Sequence, residues 1–301
     1  MTYSRFLSPD GISIYLFHGV VIRSQYAVRN YTKKHIEVDA FRRCLLDLRD
    51  HGTPISMDDL LAHHEAGVPL PPRAFAITFD DGFENNCSVA APVLSELNIP
   101  ATFYVTTNFV DRNGMSWIDR IEYCLEQVPA GRVSLPWDDS CHSFSDTATR
   151  IEFLTYLRNV VKADPKIDVD AFADEVFRQC HMDPVYASDG PLDRKMSWEQ
   201  VRALHDDRLF TVGGHSHTHK NLAFLPENEM KREIATSLKL LREKAGIVAI
   251  HYSYPEGLEH CFSPSVISEL QRGGIRCSPT AISGVNLNVA SLFHLRRVMV
   301  S

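Results

Sequence analysis

The sequence predicts an α/β protein built around a parallel sheet that is either open or closed into a barrel. Short apolar segments, rich in β-branched and aromatic residues, alternate with amphipathic helical segments along much of the 301-residue chain. Polar motifs follow several of the apolar segments at the point where each one ends. Ligands of such folds bind at the carboxyl ends of the strands, so we expect these motifs to meet on one face.

The first part of this alternation runs from the amino terminus to Val105. Its apolar segments predict strands at Ile14–Phe17, Phe75–Phe79 and Ala101–Val105. Its segments with helical spacing predict a helix that Asp39 caps and Gly52 ends, a helix that begins near Ser56, and a helix at Asn86–Leu97. The proline-rich run Pro69–Arg73 and Pro100 separate helices from the strands that follow them.

The alternation stops between residues 108 and 195. This stretch is polar and poor in strand patterns, and its helical patterns lie at Trp117–Gln127, Thr147–Val161 and Val169–Cys180. We interpret 108–195 as a largely helical insertion within a single domain of residues 1–301. Because it follows the carboxyl end of a predicted strand, we expect it to pack beside the site and to govern substrate choice.

Regular alternation resumes at Ser197. Helices are predicted at Ser197–Asp206, where Ser197 and Gln200 fit a capping box, at Asn228–Lys244, and from Ser263 to Leu270. Strands are predicted at Leu209–Val212, Val248–Tyr254, Ile275–Ala281 and Phe293–Val300.

Composition narrows the class of protein and its partners. A net charge of −7 without a basic stripe argues against a nucleic-acid partner. Seven scattered cysteines without a C-x-x-C pair are typical of reduced thiols rather than of a disulfide framework. No segment has the pattern of a signal peptide, and no apolar run approaches the length of a membrane span. We therefore expect a cytoplasmic protein without a membrane span, and the sequence leaves its oligomeric state open.

Two motifs carry the chemistry. The strand Phe75–Phe79 runs into Asp80-Asp81-Gly82, and the sequence GGHSHTH places His215 and His219 four residues apart. Adjacent carboxylates repel each other unless a proton or a cation separates them. The two motifs together predict a divalent metal site and metal-assisted hydrolysis, whereas Asp80-Asp81-Gly82 alone would also fit a simple turn. His217 alternates with its neighbours and is expected to point away from the metal.

The motifs and their order resemble those of the polysaccharide deacetylase (NodB-homology) family of carbohydrate esterases. The matching segments are TFDDG (Thr78–Gly82), HSHTH with Asn221-Leu222 behind it, and SYPEG (Ser253–Gly257). The early YLFHGV is similar to a first motif of many members, and FHLRRVMV resembles the closing strand of a bacterial subgroup that modifies surface polysaccharides. The resemblance covers residues 12–106 and 196–300.

The resemblance implies a distorted (β/α) barrel and a metal-dependent deacetylase. Its substrate would be a sugar that carries an N-acetyl group, or alternatively an O-acetyl or formyl group, in a glycan or a glycan precursor. Asp81, His215 and His219 would bind one divalent metal ion, and Asp80 would be the general base. Zinc is the default for an Asp-His-His set, and cobalt, nickel and manganese fit the same ligands.

Two positions depart from the family pattern. Ser253 stands where the third motif often has the arginine that holds the catalytic aspartate, so Arg296 or Arg297 would have to replace it. His294 is the nearest match to the family's general acid. Side chains alternate along a strand, so His294 and Arg296 share a face and Arg297 lies on the other. We favour the face of His294 and Arg296.

Other residues of the strand ends are assigned to the substrate. Tyr254, Pro255 and Glu256 are expected to contact it, and a backbone N–H of this segment could stabilise the oxyanion. His18 either lines the substrate cleft or hydrogen-bonds beneath the site.

Two alternative functions remain open at this point. The same fold and metal site also support hydrolysis of small cyclic amides. The missing motif arginine would also fit a catalytically weak relative that only binds a metal or a glycan.

Overall fold

The structure, a computed structural model, describes residues 2–287 and 289–301. Within these residues the strands are β1 (Ile12–Phe17), β2 (Gly19–Val21), β3 (His35–Glu37), β4 (Thr53–Pro54), β5 (Ala74–Phe79), β6 (Ala101–Val105), β7 (Gly131–Leu135), β8 (Asp138–Phe144), β9 (Phe210–Gly214), β10 (Pro279–Ser283) and β11 (Leu295–Met299). The α-helices are α1 (Val38–His51), α2 (Met57–Ala66), α3 (Ala91–Leu97), α4 (Thr107–Arg112), α5 (Trp117–Gln127), α6 (Thr147–Val161), α7 (Val169–Gln179), α8 (Trp198–Asp206), α9 (Glu227–Ala245) and α10 (Pro264–Arg272).

A parallel sheet forms the centre of the protein. Its strands lie in the order β10-β11-β1-β5-β6-β9, and the short β4 also pairs with β5. On its inner side Phe79 stacks between Phe17 and Phe103, with ring centroids 5.3 and 5.0 Å apart. Parallel pairing brings the carboxyl ends of the strands to one edge, and the polar motifs of the sequence follow those ends.

The gap between β9 and β10 is bridged by the segment that the sequence predicts as a strand at Val248–Tyr254. The prediction is only partly right, because the ladder consists of isolated bridges from Tyr252 to Gly214 and from His251 to Cys277. The segment that pairs with His251 leaves the ladder after Cys277, because the Ser278 N–H donates to Leu292 O instead. For the same reason β10 begins at Pro279 rather than at Ile275. The result is a distorted, nearly closed barrel.

The helix ends show which capping signals were correct. Ser56 and Ser197 form capping boxes with Asp59 and Gln200, as the sequence predicts for the second of these pairs. Asp39 is not a cap: the N-cap of α1 is Glu37, two residues earlier, and Asp39 lies in the first turn, where a negative charge interacts favourably with the helix dipole. The predicted helix at Asn86–Leu97 opens with a π-helical turn over Asn86–Ala90.

The stretch predicted as an insertion contains α4 to α7 and also a feature that the sequence analysis missed. This feature is the antiparallel hairpin of β7 and β8, in which Val133 and Leu135 are buried and Arg132 and Ser134 are exposed. That alternation is the signature of a half-buried strand, but it extends over only a few residues. The helices and the hairpin share a hydrophobic cluster of their own, with Leu154, Leu157 and Phe177 at its centre.

Among the described residues, every helix is either too short or too polar to cross a bilayer.

Candidate metal centre and cleft

Asp80 and Asp81 lie at the point where β5 leaves the sheet. The Asp80 N–H still donates to Phe17 O at 3.0 Å, which ties the motif to the end of β1. Asp81 then adopts a left-handed backbone conformation, with φ of 77°. Aspartate is among the few residues other than glycine that tolerate this region. The turn directs the two adjacent carboxylates to different neighbours.

His215 and His219 follow β9 in a loop that is held from two sides. Thr106 Oγ1 donates to His215 O at 3.0 Å. From α9, Glu233 accepts hydrogen bonds from the backbone N–H groups of His217 and Thr218 and from the Thr218 hydroxyl, at 2.8 to 3.0 Å. These contacts fix the loop before any ligand binds.

The predicted ligands come together. Ligand atoms of Asp81, His215 and His219 lie within 4.8 Å of one another. Asp81 Oδ1 is 3.2 Å from His219 Nε2 and 3.6 Å from His215 Nε2, and it is buried without a hydrogen-bond partner. His215 Nδ1 donates to Ser253 O at 2.8 Å, so its Nε2 carries the lone pair that faces Asp81. An unpartnered buried carboxylate oxygen beside an imidazole lone pair fits a divalent cation.

The charges around this set favour a cation. Burial opposes ionisation of Asp81, but Lys34 and His219 outweigh it and hold the pKa of Asp81 well below its usual range. Burial also disfavours the charged form of His219, but Asp81 outweighs it and raises the pKa of His219. Protons therefore compete with a metal for this set, and metal binding should weaken as the pH falls.

His217 lies outside the ligand set, as predicted. Its Nδ1 is 3.0 Å from the Thr107 hydroxyl, and the residue does not line the cavity that contains Asp81.

Substitution of the two ligating histidines should empty the site. We expect His215→Ala and His219→Ala each to weaken binding of a divalent metal by more than about 100-fold, beyond the cost typical of changes outside the ligand set. His217→Ala is the matched control from the same loop and should keep the affinity of the unmodified protein. Metal titration monitored by calorimetry checks all three. Full metal binding by either of the first two variants would contradict the ligand assignment.

Asp80 is held by a buried arginine rather than by the metal set. Arg297 Nη1 and Nη2 donate to its two carboxylate oxygens at 2.9 and 2.7 Å, and Arg297 Nη2 also donates to Ser253 Oγ at 2.9 Å. Burial raises the pKa of Asp80, but Arg297 outweighs burial and brings the pKa below its usual range. Asp80 is therefore ionised at neutral pH.

The predicted role of Arg296 is wrong. Its side chain is exposed and donates to Ser283 O at 3.1 Å. The predicted alternation is correct, since Arg297 lies on the opposite, buried face, but that face is the one directed at Asp80. His294 shares the exposed face at the amino end of β11, bonds to Ser291 Oγ, and does not line the cleft. It is thus not in place as a general acid.

A cavity of about 260 Å³ surrounds the metal set. His18 and Glu256 line it, whereas Tyr254 and Pro255 are buried and do not. The Tyr254 hydroxyl donates to Phe293 O at 3.2 Å. Of the four residues assigned to the substrate, the structure thus places His18 and Glu256 in the cleft. Burial lowers the pKa of His18 to about 4.

The stretch 108–195 forms part of the cavity wall, so its predicted location beside the site is confirmed. Trp117, Arg158 and Lys162 line the cavity with Asp81 and His215. Lys162, which follows α6, forms an ion pair with Glu256. A second cavity of about 260 Å³ lies on the far side of this pair. Residues common to both cavities are Trp117, Lys162, His219 and Glu256.

Several residues of the site carried no signal in the sequence. Each acts through a contact with a distant part of the chain: Lys34, Lys162 and Glu233. The role of a buried charge can be inferred only when its partner is known. Since these partners are distant in the sequence, local sequence patterns could not have identified the residues.

Comparison with known proteins agrees with this geometry. The family model described as polysaccharide deacetylase matches residues 67–277, well over half of the chain. Poly-beta-1,6-N-acetyl-D-glucosamine N-deacetylase from Escherichia coli K12 is 31% identical over 77 residues, and the match spans 25% of this chain and 12% of that protein.

Solved structures share the fold over nearly the whole chain. IcaB from Ammonifex degensii superposes with a TM-score of 0.62 at 19% identity, covering 98% of this chain and 93% of its own. The BpsB deacetylase domain from Bordetella bronchiseptica superposes with a TM-score of 0.59 at 19% identity, covering 97% of both chains. These structures confirm the predicted fold class. Together with the family match and the arrangement of the three motifs, they lead to the conclusion that the chain belongs to the polysaccharide deacetylase family.

Proposed function

We propose that this protein is a metal-dependent hydrolase that removes an acetyl group, bound through nitrogen, from a sugar in a glycan or glycan precursor. The observation that carries the proposal is the presence, in one cleft, of an Asp-His-His set in which Asp81 Oδ1 has no hydrogen-bond partner and of a separate aspartate that an arginine keeps ionised. The curated relative from Escherichia coli is named for N-deacetylation of an N-acetylglucosamine polymer, which supports this substrate class.

Asp81, His215 and His219 would hold the cation, with zinc, cobalt, nickel or manganese as chemically suitable ions. When bound, the ion supplies Lewis acidity, which polarises the acyl carbonyl and acidifies water. Asp80 accepts a proton from the attacking water as its oxygen bonds to the carbonyl carbon. Arg297 keeps Asp80 in the carboxylate form that this step requires.

The bond between the carbonyl carbon and nitrogen then breaks, and the nitrogen must receive a proton. We assign this transfer to His18, because it is the imidazole of the cavity that is left once His215 and His219 are ligands. With a pKa near 4 it is neutral at rest, so it can take the proton that Asp80 removed from water and pass it to the nitrogen, which returns Asp80 to the carboxylate form. The free amine and acetate are the products.

One feature of the sequence is compatible with a catalytically weak relative, namely the missing arginine of the third motif. Arg297 reaches Asp80 from β11 and supplies that charge, with Ser253 bonded to both. This contact favours the enzyme over the weak relative.

Acetate release tests the proposed function. Purified protein with N-acetylglucosamine oligomers should release acetate, lose this activity with a chelator, and regain it on addition of zinc, cobalt, nickel or manganese. A small cyclic amide of the hydantoin type is the comparison substrate. Ring opening of that amide without acetate release would favour the alternative hydrolase, and no hydrolysis of either substrate would contradict the proposal.

The same assay examines the proposed role of the stretch 108–195 in substrate choice. Lys162→Met removes the ion pair that separates the two cavities and should change the relative rates for short and long oligomers, with metal content unchanged. Lys166→Met is the matched control, because Lys166 lines only the second cavity. Equal length preference in both variants would argue against this role.

A further inference from the structure

The two oxygens of the Asp81 carboxylate have different surroundings. Oδ1 faces the imidazoles of His215 and His219 and has no hydrogen-bond partner. Oδ2 lies 3.5 Å from the ammonium group of Lys34. A carboxylate can bind a metal through one oxygen or through both, and here the second oxygen already has a cationic neighbour.

Lys34 is held in this position by the stretch 108–195. Its Nζ lies 2.8 and 3.0 Å from the two carboxylate oxygens of Asp119, in the first turn of α5. Asp119 is buried and accepts a further hydrogen bond from Ser116 Oγ at 2.8 Å. On its other side the ammonium is 4.8 Å from the ring centroid of Phe83. A charge fixed by three neighbours is part of the architecture of the site rather than a mobile surface group.

We propose that Lys34 is a positioning residue that restricts Asp81 to binding the metal through Oδ1 alone, and that Asp119 holds Lys34 in this role. The inference rests on the metal site of the proposed function. With one oxygen and two imidazole nitrogens the protein supplies three ligand atoms. Binding through both oxygens would occupy a position that water or the acyl oxygen needs in a catalytic site.

The proposal predicts effects of opposite sign for the two members of the pair. Removal of the Lys34 charge takes a positive group away from a cation site and frees Asp81 Oδ2, so cation affinity should rise. Removal of the Asp119 charge leaves Lys34 without its anchor and takes a negative group away from the site, so cation affinity should fall. A pair that only supported packing would lower the affinity in both cases.

Cobalt binding gives a readout that is independent of sugar hydrolysis. The full-length protein is freed of metal with a chelator and titrated with Co²⁺, and acetate is then added to the cobalt form as a probe of the open position, followed by visible absorption. Lys34→Met should bind Co²⁺ about tenfold more tightly, since a unit charge a few ångströms away is worth at least this factor at a partly screened site. Its acetate affinity should fall by a similar factor.

Asp119→Asn should bind Co²⁺ about tenfold more weakly by the same electrostatic argument. Lys33→Met is the matched control, because it removes the neighbouring exposed lysine and should leave both affinities unchanged. The double variant Lys34→Met/Asp119→Asn removes both charges together, and it provides the test if the single variants fail to fold. It should bind Co²⁺ with an affinity between those of the single variants and still respond weakly to acetate.

Parallel weakening of Co²⁺ binding in both single variants would overturn the proposal, as would an unchanged acetate response in Lys34→Met and in the double variant. Failure of the proposed function is distinguishable from this result. A protein that shows the expected cobalt and acetate shifts but deacetylates no sugar would retain the positioning role and lose the proposed reaction. Absence of Co²⁺ binding by the unmodified protein would overturn both.

Discussion

The Asp80→Asn variant is expected to keep its metal ion and to lose deacetylase activity by on the order of 10²-fold or more, the range typical of a missing general base. The ligand set does not depend on Asp80, because Asp81 Oδ1 faces both imidazoles and the nearest Asp80 oxygen is 3.9 Å from His215 Nε2. The amide of asparagine has no basic oxygen that could accept a proton from water. The measurement is metal stoichiometry together with acetate release.

Asp10→Asn is the control, since this aspartate is exposed and precedes the amino end of β1, whereas the cleft lies at the carboxyl end of that strand. It should leave activity and metal content unchanged. Loss of the metal from Asp80→Asn would show that the roles of the two aspartates are exchanged. Full activity with the metal in place would remove Asp80 from the mechanism.

Replacement of Arg297 with methionine should destabilise the fold by about 3–5 kcal/mol at neutral pH, because it leaves a buried carboxylate without its partner. The guanidinium is fully buried and also donates to Thr280 O at 2.5 Å. Arg296→Met is a matched control one residue away. Its side chain is exposed, so the free energy of unfolding should change by less than about 0.5 kcal/mol.

The pH dependence separates this charge effect from a loss of packing. In the unmodified protein the pKa of Asp80 is lowered, so its contribution to stability is present above the unfolded pKa and is lost as the pH falls through the folded pKa. Without Arg297, burial would raise the pKa of Asp80, and the variant would take up a proton at a higher pH. The stability difference should therefore narrow from neutral to mildly acidic pH. Urea unfolding at both conditions checks this, and a constant difference would indicate packing alone.

The part of the fold that could be predicted is the part encoded locally. Apolar segments such as Ala101–Val105 matched their strands because a buried parallel strand needs a continuous apolar run. The segment around His251 did not match, because its pairing depends on where the chain goes after Cys277, a distant residue. The hairpin of β7 and β8 was missed because its alternation of buried and exposed residues is short and its strands pair only with each other.

The site residues also fall into those that local sequence motifs predict and those that depend on distant contacts. Asp81, His215 and His219 were found because their motifs have fixed spacing beside strand ends. Alternation along β11 correctly separated Arg296 from Arg297, but it could not tell which face is directed into the barrel. The contact of Lys34 with Asp119 joins residues 85 positions apart, and no local pattern announces it.

Asp81, His219 and Glu256 all have positive φ values, of 77°, 61° and 62°. For residues other than glycine, such conformations cost about 1–3 kcal/mol each. Glycine would relieve this cost at every one of the three positions, and at each it would delete a side chain of the cleft. A search for thermostable variants that ranks sequences by melting temperature alone would therefore select glycine at these positions. The selected variants would fold well but would lack side chains of the metal centre and the cleft. Engineering of this protein should exclude these three positions and seek stabilising substitutions in the barrel and in the hydrophobic cluster of the stretch 108–195.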